Sequence, residues 1–265
     1  MPKISVIMGI YNCASTLQEA LDSLYAQTYQ DFEIILCEDG SKDNTYELAL
    51  ENQKKHNNIV LLRNPHNMGL NQTLNNCLAV AQGEYIARMD GDDICDPTRF
   101  EKQVKFLDEH PEYAIVSNPM FYFDENGIFG RGSAKEGEVS KEVFNIGTPF
   151  CHAPCMVRKE AYDKVGGYTV DKKLLRVEDY ELWVKMYAAG YKGYNLGEHL
   201  YSMRDDKNAV ARRTIRGRMN VIYAHWLAYK RLNLSFFKFV KVATITFAKA
   251  FTPTFIYNYF HKKVA

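Results

Sequence analysis

Short apolar runs alternate with amphipathic stretches through the first 120 residues. Ile4-Ser5-Val6-Ile7-Met8 has the length and composition of a buried strand. Ser15-Thr16-Leu17-Gln18 has the form of a capping box, and Leu17, Leu21 and Leu24 follow at helical spacing. Residues 32–37 read as a second strand, and Asp43 or Asn44 caps a second helix that runs to about Lys55. Residues 59–62 form a third strand. Leu70, Leu74, Leu78 and Ala81 mark a third helix, stopped by Gly83. Residues 84–89 are a fourth strand, Pro97 starts a fourth helix, and residues 114–117 are a fifth strand. Four strand–helix alternations predict an open, mostly parallel α/β sheet, in which ligands bind outside the carboxyl ends of the strands. Three polar clusters fall at that edge: Tyr11-Asn12, Glu38-Asp39-Gly40-Ser41 and Asp90-Gly91-Asp92-Asp93.

Beyond Asn118 the pattern changes. Residues 120–123 and 128–131 flank Asp124-Glu125-Asn126-Gly127, a hairpin with an Asn-Gly turn. Residues 155–157 read as another strand, followed by a helix from about Lys159 to Val165 and a Gly166-Gly167-Tyr168 turn. Residues 178–189 form a helix with Leu182, Met186 and Ala189 on one face, ended by Gly190.

The composition, 46% hydrophobic and 25% charged over 265 residues, is that of a globular chain and excludes a disordered one. A net charge of +1 hides an asymmetry. Residues 207–265 hold twelve Lys or Arg and no acid, leaving 21 basic against 32 acidic groups in the first 206 residues. A basic tail on an acidic body is expected to meet something anionic. Six scattered cysteines make no disulfide framework. No signal peptide and no long apolar span are read, so the expected location is the cytoplasm.

Asp90 and Asp92, one residue apart at a strand end, can hold a hard divalent cation, Mn²⁺ or Mg²⁺, that keeps positions open for phosphates. Gly91 between them would let the backbone turn and a ligand approach. The same residues also read as an acidic loop capping the helix at Pro97. Asp39 can accept from the ring N–H of a pyrimidine, or it can organise the Gly40-Ser41 turn. Glu178-Asp179 is favoured at a helix start by the macrodipole alone. Cys151-His152-Ala153-Pro154-Cys155 lacks the second Cys/His pair of a structural zinc site and reads as buried thiols, with His152 near an acceptor pocket.

Taken together these residues resemble the family 2 glycosyltransferases, which have the GT-A fold. The motifs that carry the resemblance span residues 3–204: Ser5-Val6-Ile7-Met8-Gly9-Ile10-Tyr11-Asn12, Asp39-Gly40-Ser41-Lys42-Asp43-Asn44-Thr45, Asn67-Met68-Gly69, the DxD-like Asp90-Gly91-Asp92-Asp93, and the ED-like Glu178-Asp179-Tyr180-Glu181-Leu182-Trp183. The resemblance implies a Rossmann-like GT-A catalytic domain over residues 1–204. Its nucleotide-sugar half would be about 1–118 and its acceptor half 119–204, with residues 205–265 forming a basic helical tail. It implies an inverting, metal-dependent hexosyl- or N-acetylhexosaminyl-transferase that uses a nucleoside-diphosphate sugar, with UDP the expected nucleotide. The implied acceptor is a glycan or lipid-linked hydroxyl of bacterial polysaccharide biosynthesis. Tyr11 and Asp39 would bind the base, Asp90 the ribose or the metal shell, Asp92 the metal, and Asp179 would be the catalytic base. Arg204 is followed by Asp205-Asp206-Lys207 where many members carry a His-containing loop. Arg204, Lys207, Arg212 and Arg213 would then be the diphosphate donors, or a solvated basic face.

Residues 235–252 read as a helix with Ser235, Lys238, Lys241, Lys249 and Thr252 on one face and apolar residues over the rest. Tyr257, Tyr259, Phe260, Lys262 and Lys263 follow. Such a segment suits an anionic membrane surface at the inner face of the cell membrane, or packs on the body or a second subunit. No module for nucleic acid accompanies the charge. Two rival functions are a haloacid-dehalogenase-type phosphatase, with the first Asp of the DxD as nucleophile, and a non-catalytic nucleotide-sugar binder.

Overall fold

The computed structural model describes residues 1–204 and 214–250. The chain opens as β1 (Ile4–Ile10), α1 (Leu17–Tyr25), β2 (Phe32–Glu38), α2 (Thr45–Lys55), β3 (Ile59–Arg63), α3 (Leu70–Val80) and β4 (Tyr85–Arg88). A two-residue β5 (Ile94–Cys95) precedes α4 (Arg99–Glu109) and β6 (Ile115–Ser117). The hairpin β7 (Phe121–Asp124) and β8 (Gly127–Arg131), then β9 (Gly137–Val139) and β10 (Met156–Arg158), lead into α5 (Lys159–Val165) and α6 (Glu178–Ala188). β11 (Gly193–Asn195), β12 (Tyr201–Arg204), α7 (Ile215–Leu232) and α8 (Phe236–Ala250) complete it.

Eight strands form one sheet in the order β3-β2-β1-β4-β10-β6-β11-β9, and β5-β12-β7-β8 form a second. β3, β2, β1 and β4 are parallel, while β10 enters antiparallel between β4 and β6. The predicted open, mostly parallel α/β sheet is present. β1 sorts its side chains by the two-residue period of a strand. Ile4, Val6, Met8 and Ile10 join the core layer of Leu17, Leu21, Leu24 and Phe100, and Ile7 joins the opposite layer with Leu74, Cys77 and Trp183. Helices cover both faces, so β1 and β2 read as near-continuous apolar runs.

The capping box at Ser15 does not form. α1 starts at Leu17 with Thr16 as its flanking residue, and the Thr16 hydroxyl instead donates to the Gly91 carbonyl at 2.9 Å. Asp43 accepts from the Thr45 amide at 3.2 Å and the Ala14 amide at 3.1 Å, so it ties the start of α2 to the loop after β1. Arg99 of α4 is fully buried. It donates to the Arg88 carbonyl at 3.0 Å and the Cys155 carbonyl at 3.2 Å, which joins the ends of β4 and β10.

The helical tail expected over residues 205–265 contains α7, whose bounds and buried face the sequence did not single out. Its packing face is Asn220, Ala224, His225, Ala228 and Leu232, and the two polar members mask the apolar period. Both are hydrogen-bonded: Asn220 donates to the Leu175 carbonyl at 3.0 Å, and His225 lies 3.0 Å from the Tyr180 hydroxyl. Ala224, Ala228 and Leu232 share the core of α6. α8 spans Phe236–Ala250. Phe251, Thr252 and the predicted aromatic and lysine residues from Tyr257 to Lys263 lie outside the described residues. Among the described residues no helix is long and apolar enough to cross a membrane.

Gly83, just before β4, permits the closest approach of a glycine to other backbone. A Cβ there would lie 2.4 Å from the Ser5 amide nitrogen and 2.6 Å from the Ile4 carbonyl carbon, both backbone. Gly83→Ala is therefore expected to cost about 1–3 kcal/mol, as overpacking does. The measurement is a lowered urea midpoint at unchanged m-value.

Candidate active site

The loops after β1 and β2 are stitched together. The Asn12 amide donates to the Ser41 hydroxyl at 3.0 Å, and its side-chain oxygen accepts from the Lys42 amide at 2.8 Å. Asn12 takes a φ of +49°, a left-handed conformation that Asn tolerates. Tyr11 stands exposed above this junction, and Asp39 is buried. Asp39 accepts from Asn64 Nδ2 at 2.7 Å, the Met68 amide at 2.7 Å and the Gly69 amide at 2.9 Å. Its carboxylate thus organises the Asn67-Met68-Gly69 loop rather than the Gly40-Ser41 turn. Gly40 has a φ of +73°, and a Cβ there would lie 2.7 Å from the Asn67 amide nitrogen, so glycine lets this loop close on the strand end.

At the end of β4, Arg88 is buried and forks onto Asp90, with Nη1–Oδ2 at 2.8 Å and Nη2–Oδ1 at 2.6 Å. Gly91 has no positive φ. A Cβ there would lie 2.9 Å from Cys13 Sγ, so close packing explains the glycine better than a special turn. Asp92 reaches solvent. Protein crowding and the neighbouring Asp90 charge nevertheless raise its carboxyl pKa. Asp93, which the sequence placed only within the acidic cluster, is the structural anchor. It accepts from the Tyr201 hydroxyl at 2.8 Å and the Arg204 amide at 2.8 Å. Burial, then Asp90 and Asp92, hold its carboxyl well above the usual carboxylate range.

β12 pairs with β5 through Tyr201–Cys95 and Ser202–Ile94, which carries Arg204 to the DxD turn. Arg204 Nε donates to the Asp92 carbonyl at 2.9 Å, its guanidinium lies 4.4 Å from the Phe123 ring centroid, and it pairs with Glu19. Lys207, Arg212 and Arg213, the other expected diphosphate donors, lie outside the described residues.

Glu178 and Asp179 occupy the first turn of α6, where the helix dipole favours them. Burial raises both carboxyl pKa values. Asp179 adds to the rise at Glu178, while the Tyr180 amide, 2.8 Å from Asp179 Oδ1, and the Arg88 charge oppose the rise at Asp179. Arg88 therefore acts on Asp90, Asp92, Glu178 and Asp179 together. The structure brings both acidic motifs around one buried guanidinium. His152 lies 2.8 Å from the Tyr168 hydroxyl. Burial and then Arg88 pull its pKa well down, so it is a neutral imidazole. Arg176, just before α6, has a φ of +67°, an arrangement that costs of order 1–3 kcal/mol. A cavity of about 640 Å³ opens beside Asp179, with α7 and α8 in its lining.

The donor set at the DxD turn fits a hard divalent cation. Asp92 presents its carboxylate to solvent next to a like charge, which a cation would relieve. Asp90 is already bonded by Arg88 and is better suited to the outer shell. Among the described residues no three His, Cys, Asp or Glu side chains converge as a metal site. A cation here would complete its coordination with water and substrate oxygens, as Mg²⁺ and Mn²⁺ commonly do.

An α/β sheet with these loops at one edge is the architecture of the GT-A glycosyltransferases. The glycosyl transferase family 2 model matches residues 5–166, and the chain belongs to that family. It is 40% identical over 264 residues to EpsE of Bacillus subtilis, which is named as a glycosyltransferase, with 99% of this chain and 94% of that one covered. It is 31% identical over 271 residues to the UDP-Gal:α-D-GlcNAc-diphosphoundecaprenol β-1,3-galactosyltransferase of Escherichia coli, covering 99% and 96%. The mannosyltransferase PcManGT of Pyrobaculum calidifontis, solved with GDP-Man and Mn²⁺, matches at a TM-score of 0.68 and 21% identity. That match spans 94% of this chain and 69% of that one, a likeness of fold. The phosphatase and non-catalytic readings find no support among these proteins.

Asp39→Asn turns an acceptor-only group into one with a single acceptor oxygen facing three donors. The expected cost is about 1–3 kcal/mol without any ligand, measured by denaturant unfolding of the apo protein.

Proposed function

We propose that the chain transfers a hexose or N-acetylhexosamine from a UDP-sugar, with inversion, to a hydroxyl of a glycan or lipid-linked acceptor in polysaccharide biosynthesis. The observation that carries this reading is the meeting of the DxD turn and the Glu178-Asp179 helix start around Arg88. The E. coli relative's name supports the UDP-sugar and the diphospholipid-linked acceptor. Tyr11 and Asp39 line the nucleoside side, where Asp39 Oδ2 bonds the Gly69 amide and keeps a lone pair for a base N–H. Asp90, held by Arg88, faces the ribose or the metal shell. Asp92 is the protein ligand of Mn²⁺ or Mg²⁺, and Arg204 adds a fixed cation for the diphosphate. When bound, the metal supplies Lewis-acid neutralisation of the departing diphosphate; the PcManGT complex with Mn²⁺ supports this reading by fold.

Asp179 takes the proton of the acceptor hydroxyl as its oxygen bonds to the anomeric carbon. The bond from that carbon to the UDP oxygen breaks, and the electron pair leaves with UDP through an oxocarbenium-like transition state. A carboxyl with a raised pKa is a stronger base than an exposed aspartate. A cytoplasmic, peripheral position at the inner face of the membrane follows from such an acceptor. The exposed apolar side chains Phe236 and Phe237 of α8 suit that surface.

Asp92→Asn is expected to abolish the increase in UDP affinity that Mn²⁺ provides and most of the turnover, read by calorimetry with and without the ion. Full activity of the wild type in excess EDTA would overturn the metal's role. Asp179→Asn is expected to keep UDP-sugar affinity and to lower kcat by roughly 100-fold or more. Asp179 must be ionised to act, so wild-type activity falls as pH drops through its raised pKa. This acidic limb lies above the ordinary aspartate range and is absent from the residual activity of the variant. A pH–rate profile of both proteins checks this.

A further inference from the structure

We infer that the cavity beside Asp179 holds the phosphate-bearing part of the acceptor, and that Lys238, Lys241 and Arg176 bind its diphosphate. The inference deepens the reading of Asp179 as the catalytic base and rests on it.

The cavity is lined by Asp179 and Tyr180 from α6 and by Lys238, Lys241 and Lys249 from α8. At about 100° per residue these three lysines fall on one face of the helix. Arg176 enters the same lining from the loop before α6 and is held there in a left-handed backbone conformation. Among the described residues four cations thus share the cavity with Asp179, the one carboxylate of its lining. His225, also in the lining, is kept neutral by burial. Among the described residues none of the three lysines is in an ion pair; the exposed Glu142 feels the Lys238 charge from outside the cavity. Between the charges run Val221, Val242 and Ile245.

A neutral sugar needs hydrogen-bond partners and a stacking surface, and it does not need four cations. UDP already has Arg204 and the DxD turn. Cations next to an apolar wall, with the proposed base in the same lining, match an acceptor whose sugar hydroxyl meets Asp179 and whose reducing end carries a diphosphate and a lipid. The basic face of α8, expected from the sequence to meet a membrane surface, is turned at least in part into this cavity. The exposed aromatics Phe236 and Phe237 are left to the outside.

The test is direct binding of farnesyl diphosphate to the full chain by calorimetry, with farnesol and inorganic pyrophosphate as the apolar and free-phosphate arms. Farnesyl diphosphate is expected to bind, and to bind roughly tenfold or more weakly to the Lys238→Gln/Lys241→Gln double variant, the loss of charge-assisted bonds. Raised salt is expected to weaken wild-type binding in the same direction. These lysines are exposed, and an unchanged Tm confirms that the double variant folds. Salt-independent binding by the wild type overturns the inference without any variant. It is also overturned if the double variant binds farnesyl diphosphate normally, or if it loses UDP instead, which would assign the lysines to the donor. A third overturning result is an equal loss of binding to phosphatidylglycerol vesicles free of diphosphate lipid, which would assign them to a membrane surface. Binding needs no turnover, so failure to release UDP from any UDP-sugar would count against the transferase reading alone.

Discussion

A guanidinium buried at the end of β4 must be paired, and the pairing of Arg88 with Asp90 sets the rest of the site. An unpaired charge at that depth would be strongly destabilising, whereas a forked carboxylate pairs the charge through two N–H groups and leaves only Nε without a hydrogen-bond partner. The fork fixes the direction of the DxD turn as it leaves the sheet. The same charge opposes the rise that burial imposes on the Asp179 pKa and adds to the fall that burial imposes on that of His152. A single cation therefore offsets several acids around one space, which under the proposed function receives the negative charge of a nucleoside diphosphate.

The carboxylates around it divide the work. Asp39 and Asp93 are buried and satisfied by amides and hydroxyls, so each holds a loop in place: Asp39 the segment ending at Gly69, and Asp93 the strand carrying Arg204. Asp92 and Asp179 have fewer protein partners, which suits the ligand-facing roles proposed for them. The division follows from burial and donor count, and it separates carboxylates that hold loops from those left without such a task more sharply than the motif spellings do. The thiol-bearing loop at Cys151 belongs to the positioning side: the Cys155 thiol donates to the Cys151 carbonyl at 2.9 Å.

The placement of α7 and α8 depends on polar packing. α7 is fastened to α6 through His225 and the Arg231–Glu181 pair at 2.6 Å, in which Glu181 is almost fully buried, and to the segment before α6 through Asn220. That attachment brings α8 over the start of α6, with Tyr229 against Phe236 and Phe239 at 5.7 and 5.8 Å. A tail that looks separate by charge is thus continuous with the catalytic body through its core.

The sequence by itself determined the alternation of strands and helices in the first half, the edge at which the polar loops gather, and the acids at the strand and helix ends. Those features depend on local periodicity and on residues adjacent in the chain, and hydrophobic burial enforces them wherever the sheet forms. Tertiary structure alone decided that Thr16 serves the Gly91 carbonyl instead of its own helix, and that Asp39 reaches forward to Met68 and Gly69. It also decided that β10 inserts antiparallel beside β4, and that Arg204 arrives at Asp92 through a short strand pair. The buried face of α7 escaped the reading because it carries Asn and His, whose partners on α6 and the preceding loop are distant in the chain. Each of these depends on which hydrogen-bond donor or charge is brought within about 3 Å of another, and chain spacing does not encode that distance.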